Sequence, residues 1–281
     1  MPSYEFFNIT HPAKYVTHVE INRPSKLNAF KEPMWQELQK VFDSLSTDPS
    51  VRAIILTGAG EKAFTAGLDT KDAAEHGPLS ENSSAGTTED TARKATVLRR
   101  HIHNFQNCVT AIERCEKPVV CVLHGFAYGL AVDMSSACDV RICAADTKFC
   151  VKEVDIGIAA DVGTLTRLPK VVGDYGWVKD VSLSARIFGA EEALRVGLVS
   201  GVHESKEAAV RAATSWATLV AEKSPVAVQG TKRILDYSRD HGVADGLHYT
   251  AVWNSAMLQT VDMMEAMKSG WTKKKPTFEK L

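Results

Sequence analysis

The chain has 281 residues, a formal net charge of −1, 44% hydrophobic residues and 24% charged residues. That length suits one large domain, or one domain with an appendage, with a sizeable core of its own. A charge so near zero supplies no global field to recruit nucleic acid or an anionic membrane, and no stretch approaches the roughly 18 apolar residues of a membrane span.

The opening segment, MPSYEFFNITHPAKY, lacks a basic run followed by an apolar one, and it is not an Arg-rich amphipathic transit sequence. Residues 16–22, VTHVEIN, alternate as a half-buried strand does, and Asn22-Arg23-Pro24-Ser25 breaks the run. Residues 33–45 carry helical spacing, with Met34, Leu38, Val41, Phe42 and Leu45 on one face and Pro33 in the first turn. Residues 51–57 form a short continuous apolar run, the pattern of a buried parallel strand. Residues 70–95 are polar and rich in Ser, Thr, Gly, Glu and Asp, a loop or insert with partial helix. A long helix is expected over 93–114, a buried strand over 118–123, a helix over 130–137, and further strands over 140–144 and 149–151. Alternation of strand and helix argues for βαβ-type units around a parallel sheet. Beyond residue 205 the pattern turns helical, over 206–222, 225–240 and 243–267. The expected organisation is an α/β core over 1–204 and a helical region over 205–281, packed on the core or on a neighbouring subunit.

Six cysteines, Cys108, Cys115, Cys121, Cys138, Cys143 and Cys150, form no CxxC pair and lie mostly in apolar runs. They read as small buried hydrophobes, not as a disulfide frame or a zinc site. His101 and His103 have no further ligands at metal spacing, so no metal site is expected. The terminal Glu279-Lys280-Leu281 shares Lys-Leu with the peroxisomal address Ser-Lys-Leu, which sets a peroxisomal location as the expectation, with mitochondrial or cytoplasmic as alternatives.

Chemistry concentrates in residues 129–170, where Asp133, Glu153 and Asp161 stand among Val, Ile, Ala and Gly. A buried carboxylate costs several kcal/mol unless paired or protonated, and the nearby cations are few: Arg141, Lys148, Lys152 and Arg167. Such acids are structural ion-pair partners or proton-transfer groups, and the residues alone leave both readings open. Asp139, at a helix-to-strand junction, reads as a cap or salt bridge, and Asp155 as a partner across a subunit contact. Two glycine turns follow buried strands, Phe64-Thr65-Ala66-Gly67-Leu68-Asp69 and His124-Gly125-Phe126-Ala127-Tyr128-Gly129-Leu130-Ala131. Free N–H groups at such turns can converge into an oxyanion hole, or the glycines simply permit tight turns. Neither turn matches GxGxxG or a P-loop.

In order along the chain, NRPSKLNAF, AFTAGLD, KPVVCVLHGFAYGLAVDMSSACDVRICA, the Glu153 segment and FGAEEALRVGLVSGV resemble the enoyl-CoA hydratase/isomerase, or crotonase, superfamily from near residue 15 to about 240. This resemblance implies a spiral core of ββα units, a helical C-terminal oligomerisation region and homotrimers or homohexamers. It implies an acyl-CoA thioester substrate polarised by the backbone N–H groups of Leu68 and Leu130. Lys26, Asn28, Ala66, Gly67, Asp69 and Gly129 are carried over as substrate or CoA contacts. No cofactor is implied beyond the CoA of the substrate.

Hydratases of the superfamily usually carry glutamates at the positions of Asp133 and Glu153, and glycine at that of Asp161. VKEVDIGIAADVGTLTRLPKVVG is very similar to the dienoyl-CoA isomerase branch, which moves a 3,5-diene to a 2,4-diene in β-oxidation of unsaturated fatty acids. That branch implies acids at Asp133, Glu153 and Asp161, with Glu153 as base at carbon 2, Asp161 as acid at carbon 6 and Asp133 tuning Glu153. Alternatives are an enoyl-CoA hydratase, a 3-to-2-enoyl isomerase, or a non-catalytic acyl-CoA- or RNA-binding relative. The superfamily usually reads Gly-Gly-Gly where this chain has Gly129-Leu130-Ala131, so the Leu130 side chain must point away from the thioester.

Overall fold

Continuous apolar runs become the parallel strands of a central sheet. A computed structural model describes residues 4–78, 80, 83 and 90–281. The strands are β1 (Phe7–Ala13), β2 (Val16–Ile21), β3 (Ala53–Gly58), β4 (Ala63–Thr65), β5 (Val119–Leu123), β6 (Phe126–Tyr128), β7 (Val140–Ala144), β8 (Lys148–Cys150), β9 (Phe188–Gly189) and β10 (Val202–His203). The helices are α1 (Glu32–Thr47), α2 (Thr70–His76), α3 (Thr91–Arg114), α4 (Leu130–Ser136), α5 (Thr164–Val171), α6 (Tyr175–Ser184), α7 (Ala190–Arg195), α8 (Lys206–Ala221), α9 (Pro225–Arg239), α10 (Val243–Met257) and α11 (Val261–Thr272).

One sheet has the order β1-β2-β3-β5-β7-β10 and the other β4-β6-β8-β9. Pairing is parallel except for β1 with β2 and β8 with β9. Each long strand of the first sheet hands over to a short strand of the second: β3 to β4, β5 to β6, β7 to β8. Helices then return the chain, so the repeating unit is ββα and the path is a spiral. Parallel neighbours end on the same side. The segments leaving β4, β6 and β8 therefore lie side by side, and these carry Leu68, Leu130 and Glu153.

The core fills both faces of the first sheet. On one face Ile54, Leu56 and Cys121 meet Met34, Leu38 and Phe42 of α1 and Val109 and Ile112 of α3. On the other, Ala53, Ile55, Val120 and Val122 meet Ala209, Ala213, Ala217 and Ala221 of α8. An alanine every four residues lets α8 lie close on the strands. The expected boundary at residue 204 falls at the start of this helix, which packs as part of the core.

One expectation needs correction. The helix predicted over 243–267 is two helices, separated at residues 258–260. Thr260 caps the second, its hydroxyl accepting from the N–H of Asp262 at 3.3 Å, while the buried Asp262 carboxylate accepts from Ser224 Oγ at 2.5 Å. A capping hydroxyl competes with helix continuation, and the apolar run around it masks the break. The predicted insert over 70–95 is helical at both ends, in α2 and α3, with Asp69 and Asp90 as N-caps; most of the span between them lies outside the described residues. The six cysteines are free and buried. Among the described residues, no helix is long and apolar enough to cross a membrane.

Candidate active site

The β4 exit turns sharply at Gly67, whose φ is +95°. A side chain there would meet the carbonyl oxygen of Tyr128 at 3.1 Å and the N of Leu130 at 3.7 Å. Glycine thus lets the β4 and β6 exits touch. Next door, Phe30 donates to Gly67 O at 2.8 Å and Asp69 to Phe30 O at 2.8 Å. That ladder skips the N–H of Leu68. At the β6 exit, Gly129 donates to Cys150 O and Val132 to Gly129 O, so the N–H of Leu130 at the start of α4 is likewise left over. Two N–H groups without acceptors among the described residues therefore flank one cavity, which Leu68 and Leu130 both line. Leu130 is 4% exposed and packs with the core.

All three acids line that same cavity. Asp133 lies in the first turn of α4, and its Oδ1 accepts from Thr164 N at 2.6 Å and Thr164 Oγ1 at 2.8 Å. Glu153 begins a 3₁₀ turn after β8 that ends at Gly157, φ +80°. Its Oε2 is buried with no hydrogen-bond partner among the described residues. Asp161 sits on the strand-less segment before α5, anchored by Gln106 Nε2 donating to its backbone O at 2.6 Å. Phe105, Ile156, Ile158 and Val162 supply the apolar wall.

Electrostatics follow from this setting. Burial, then the neighbouring Asp133 and Asp161 charges, push Glu153 up to about 7. Burial raises Asp133 to about 6 against the pull of the Thr164 hydrogen bonds and Arg167. Burial also lifts Asp161 above the ordinary carboxylate range, partly offset by His101. Proton-transfer groups that work near neutrality need this kind of shift.

Of the other sequence-derived positions, Ala66, Gly67 and Gly129 line the cavity. Asn28 does not offer its side chain to a ligand: it is fully buried, its amide donating to Ala59 O and Ala63 O and its Oδ1 accepting from Arg23 N. It braces the turn, and that corrects its reading as a CoA contact. The Asp69 carboxylate is likewise engaged, accepting from Arg23 at 2.8 Å and capping α2. Lys26 is exposed on a 3₁₀ turn and is not among the residues lining the cavity. Asp139 pairs with Lys232 at 2.8 Å, as a salt-bridge reading expects, and Asp155 pairs with Lys152 on its own turn. Thr164 was not legible as a site residue, because a hydroxyl three residues after an acid carries no periodic or motif signal.

The match to known proteins decides the family. Residues 12–280 match the Enoyl-CoA hydratase/isomerase family. This chain belongs to the enoyl-CoA hydratase/isomerase family. Within it, the chain is 46% identical over 282 aligned residues to the mitochondrial Delta(3,5)-Delta(2,4)-dienoyl-CoA isomerase of Mus musculus, covering 99% of this chain and 84% of that protein. It is 45% identical to the peroxisomal Delta(3,5)-Delta(2,4)-dienoyl-CoA isomerase of Arabidopsis thaliana, covering 95% and 93%. The fold matches the crystal structure of an enoyl-CoA hydratase from Bacillus anthracis with a TM-score of 0.86 at 24% identity, covering 98% and 99% of the chains.

A glycine at the centre of this family member's site gives a direct prediction. Gly129 has φ +52° and ψ −111°, and a methyl group on it would stand 3.2 Å from Glu153 Oε1. Gly129→Ala is expected to carry about 1–3 kcal/mol of backbone strain. It should lower both the thermal midpoint and the turnover of an acyl-CoA substrate. Unchanged turnover would place the Glu153 carboxylate away from this turn.

Proposed function

We propose that this chain is a dienoyl-CoA isomerase that converts 3,5-dienoyl-CoA to 2,4-dienoyl-CoA in the β-oxidation of unsaturated fatty acids. The observation that carries the reading is three carboxyl groups on one apolar cavity beside two N–H groups unengaged among the described residues. A hydratase needs acid and base at one carbon–carbon double bond; a third acid further along the slot suits transfer to a remote carbon.

In this reading the thioester oxygen accepts from the N–H groups of Leu68 and Leu130. Carbon 2 becomes acidic, and Glu153 takes its proton to give a dienolate with charge on the oxygen and on carbons 4 and 6. Asp161 donates its proton to carbon 6, and the conjugated 2,4-diene forms. One proton leaves and one arrives, so no redox cofactor or metal is required. Asp133 stands beside Glu153 as a like charge that strengthens the base. An acyl chain in the slot displaces water and favours the neutral form of the carboxyls, the direction that suits Asp161 as donor. Ile156 and Ile158, 48% and 45% exposed, form the apolar lip over which the chain enters.

Lys26 and the basic run Lys273-Lys274-Lys275, whose last member pairs with Glu222, are cations offered to CoA phosphates under this reading. An organellar location, mitochondrion or peroxisome, is supported by the mitochondrial Mus musculus and peroxisomal Arabidopsis thaliana relatives. A homotrimer or homohexamer is the assembly it carries, supported by apolar side chains exposed on α10 and α11: Val243 at 82%, Leu247 at 67% and Trp271 at 79%. Light scattering at micromolar concentration should give a trimer or hexamer mass; a monomer would contradict the assembly.

The function is tested by ultraviolet assay with 3,5-dienoyl-CoA and 2-enoyl-CoA in parallel. Appearance of the conjugated diene, with little hydration of the enoyl ester, is the expected result. Hydration as the dominant activity would replace this reading with that of a hydratase.

A further inference from the structure

Helix α5 begins without a capping side chain of its own. Its N-cap is Gly163, at φ +154°, where a Cβ would come within 2.1 Å of Arg167 Nη1. The acceptor comes instead from α4. Asp133 Oδ1 takes both the N–H of Thr164 at 2.6 Å and its hydroxyl at 2.8 Å, and Thr164 is fully buried. An acid of the active site is thus the cap of the next helix, at the end where the helix dipole favours an anion.

Both hydrogen bonds fall on one oxygen, which fixes the carboxyl plane. Both donors favour the charged form of Asp133. The groups facing the pair are few. Glu153 and Asp161 are acidic neighbours, and Arg167 is the cation nearest Asp133 on α5. Arg167 is itself tied to α3, to Glu113 at 2.8 Å and Thr110 Oγ1 at 2.9 Å. His101 of α3 acts on Asp161, while Lys152, just before Glu153, pairs with Asp155. Glu153 Oε2, by contrast, is buried with no hydrogen-bond partner among the described residues, and the backbone bonds acting on this carboxyl are outweighed by burial and by Asp133. Two adjacent buried carboxyls do not both ionise easily, and a difference in donors decides which holds the proton.

We propose that Thr164 is a positioning residue for the acid pair: its N–H and hydroxyl hold Asp133 as the ionised member, so that the pair's proton is taken up and released at Glu153. The proposal rests on the isomerase reading for its catalytic meaning. An ionised Asp133 makes Glu153 a stronger base toward carbon 2. The same capping bond ties α4 to the start of α5 and so sets the segment that carries Asp161.

Thr164→Val keeps the backbone N–H and the shape but removes the hydroxyl. Asp133 then holds its proton to higher pH, the pair's proton settles there, and Glu153 ionises at lower pH. The acid limb of kcat/KM for 3,5-dienoyl-CoA should move at least about one pH unit toward acid, the scale of one lost charge-assisted hydrogen bond. Maximal kcat should fall about tenfold, because a weaker base removes the proton more slowly. Thr164→Ser should restore both the limb and kcat. A merely structural threonine would lower the thermal midpoint and kcat without moving the limb, and that result overturns the proposal.

A second readout needs no activity. Carbon-13 NMR titration of the side-chain carboxyls in the ligand-free protein should give Asp133 ionising below Glu153 in the wild type, with the order reversed in Thr164→Val or, should that variant not fold, in Thr164→Ala. A wild type in which Glu153 ionises first overturns the proposal without any variant. If the titration order is as expected but 3,5-dienoyl-CoA is not isomerised, the functional reading fails and the proton placement stands.

Discussion

Asp161→Asn lowers turnover of 3,5-dienoyl-CoA by at least ~10²-fold while exchange of the carbon-2 proton with solvent persists. The amide keeps the size of the side chain and the Gln106 bond, which goes to the backbone oxygen of Asp161, not to the carboxyl. The N–H groups of Leu68 and Leu130 and the carboxyl of Glu153 are untouched, so the dienolate still forms and returns to substrate. What is missing is the proton for carbon 6. Substrate recovered from heavy water should carry deuterium at carbon 2 with little product formed. Full isomerase turnover in this variant would make Asp161 structural and return the chain to a hydratase or single-bond isomerase reading.

Glu153→Gln has the complementary result. Both exchange at carbon 2 and isomerisation fall, by about 10²- to 10⁴-fold, because no group remains to take the first proton. Affinity for the CoA ester changes little, since the backbone N–H groups remain. In the wild type, Glu153 is pushed up to about 7 by burial and by the charges of Asp133 and Asp161. The base works ionised, so turnover should rise as pH passes through about 7. Burial also raises Asp161 above the ordinary carboxylate range, the direction its role as proton donor calls for. The rising limb should be absent from whatever activity Glu153→Gln retains.

Periodicity and turn residues made much of the fold legible. The apolar run of β5 and the Pro33-led helix α1 appear where hydrophobic pattern places them, within a residue or two. Of the short strands of the second sheet, β8 was legible over 149–151, while β4, β6 and β9 did not stand out. β4 and β6 have three residues each, too few for alternation, yet they bring the two glycine turns together. The acids were legible because carboxyls in an apolar stretch are costly. Their partners were not: Thr164 meets Asp133 across 31 residues, and Asn28 resembles a surface ligand until its burial beneath residues 59–63 is seen. Hydrogen bonds between distant segments depend on the path of the spiral, and local sequence carries no trace of them.

The central claim is that one acid removes the proton from carbon 2 and a different acid, in exchange with solvent, delivers another to carbon 6. Wild-type enzyme acting on unlabelled 3,5-dienoyl-CoA in heavy water tests it most directly, with the deuterium in the first-formed 2,4-dienoyl-CoA located by NMR. Deuterium at carbon 6 is the predicted result. Protium carried from carbon 2 to carbon 6, or deuterium at carbon 4 alone, would contradict the two-acid assignment of Glu153 and Asp161.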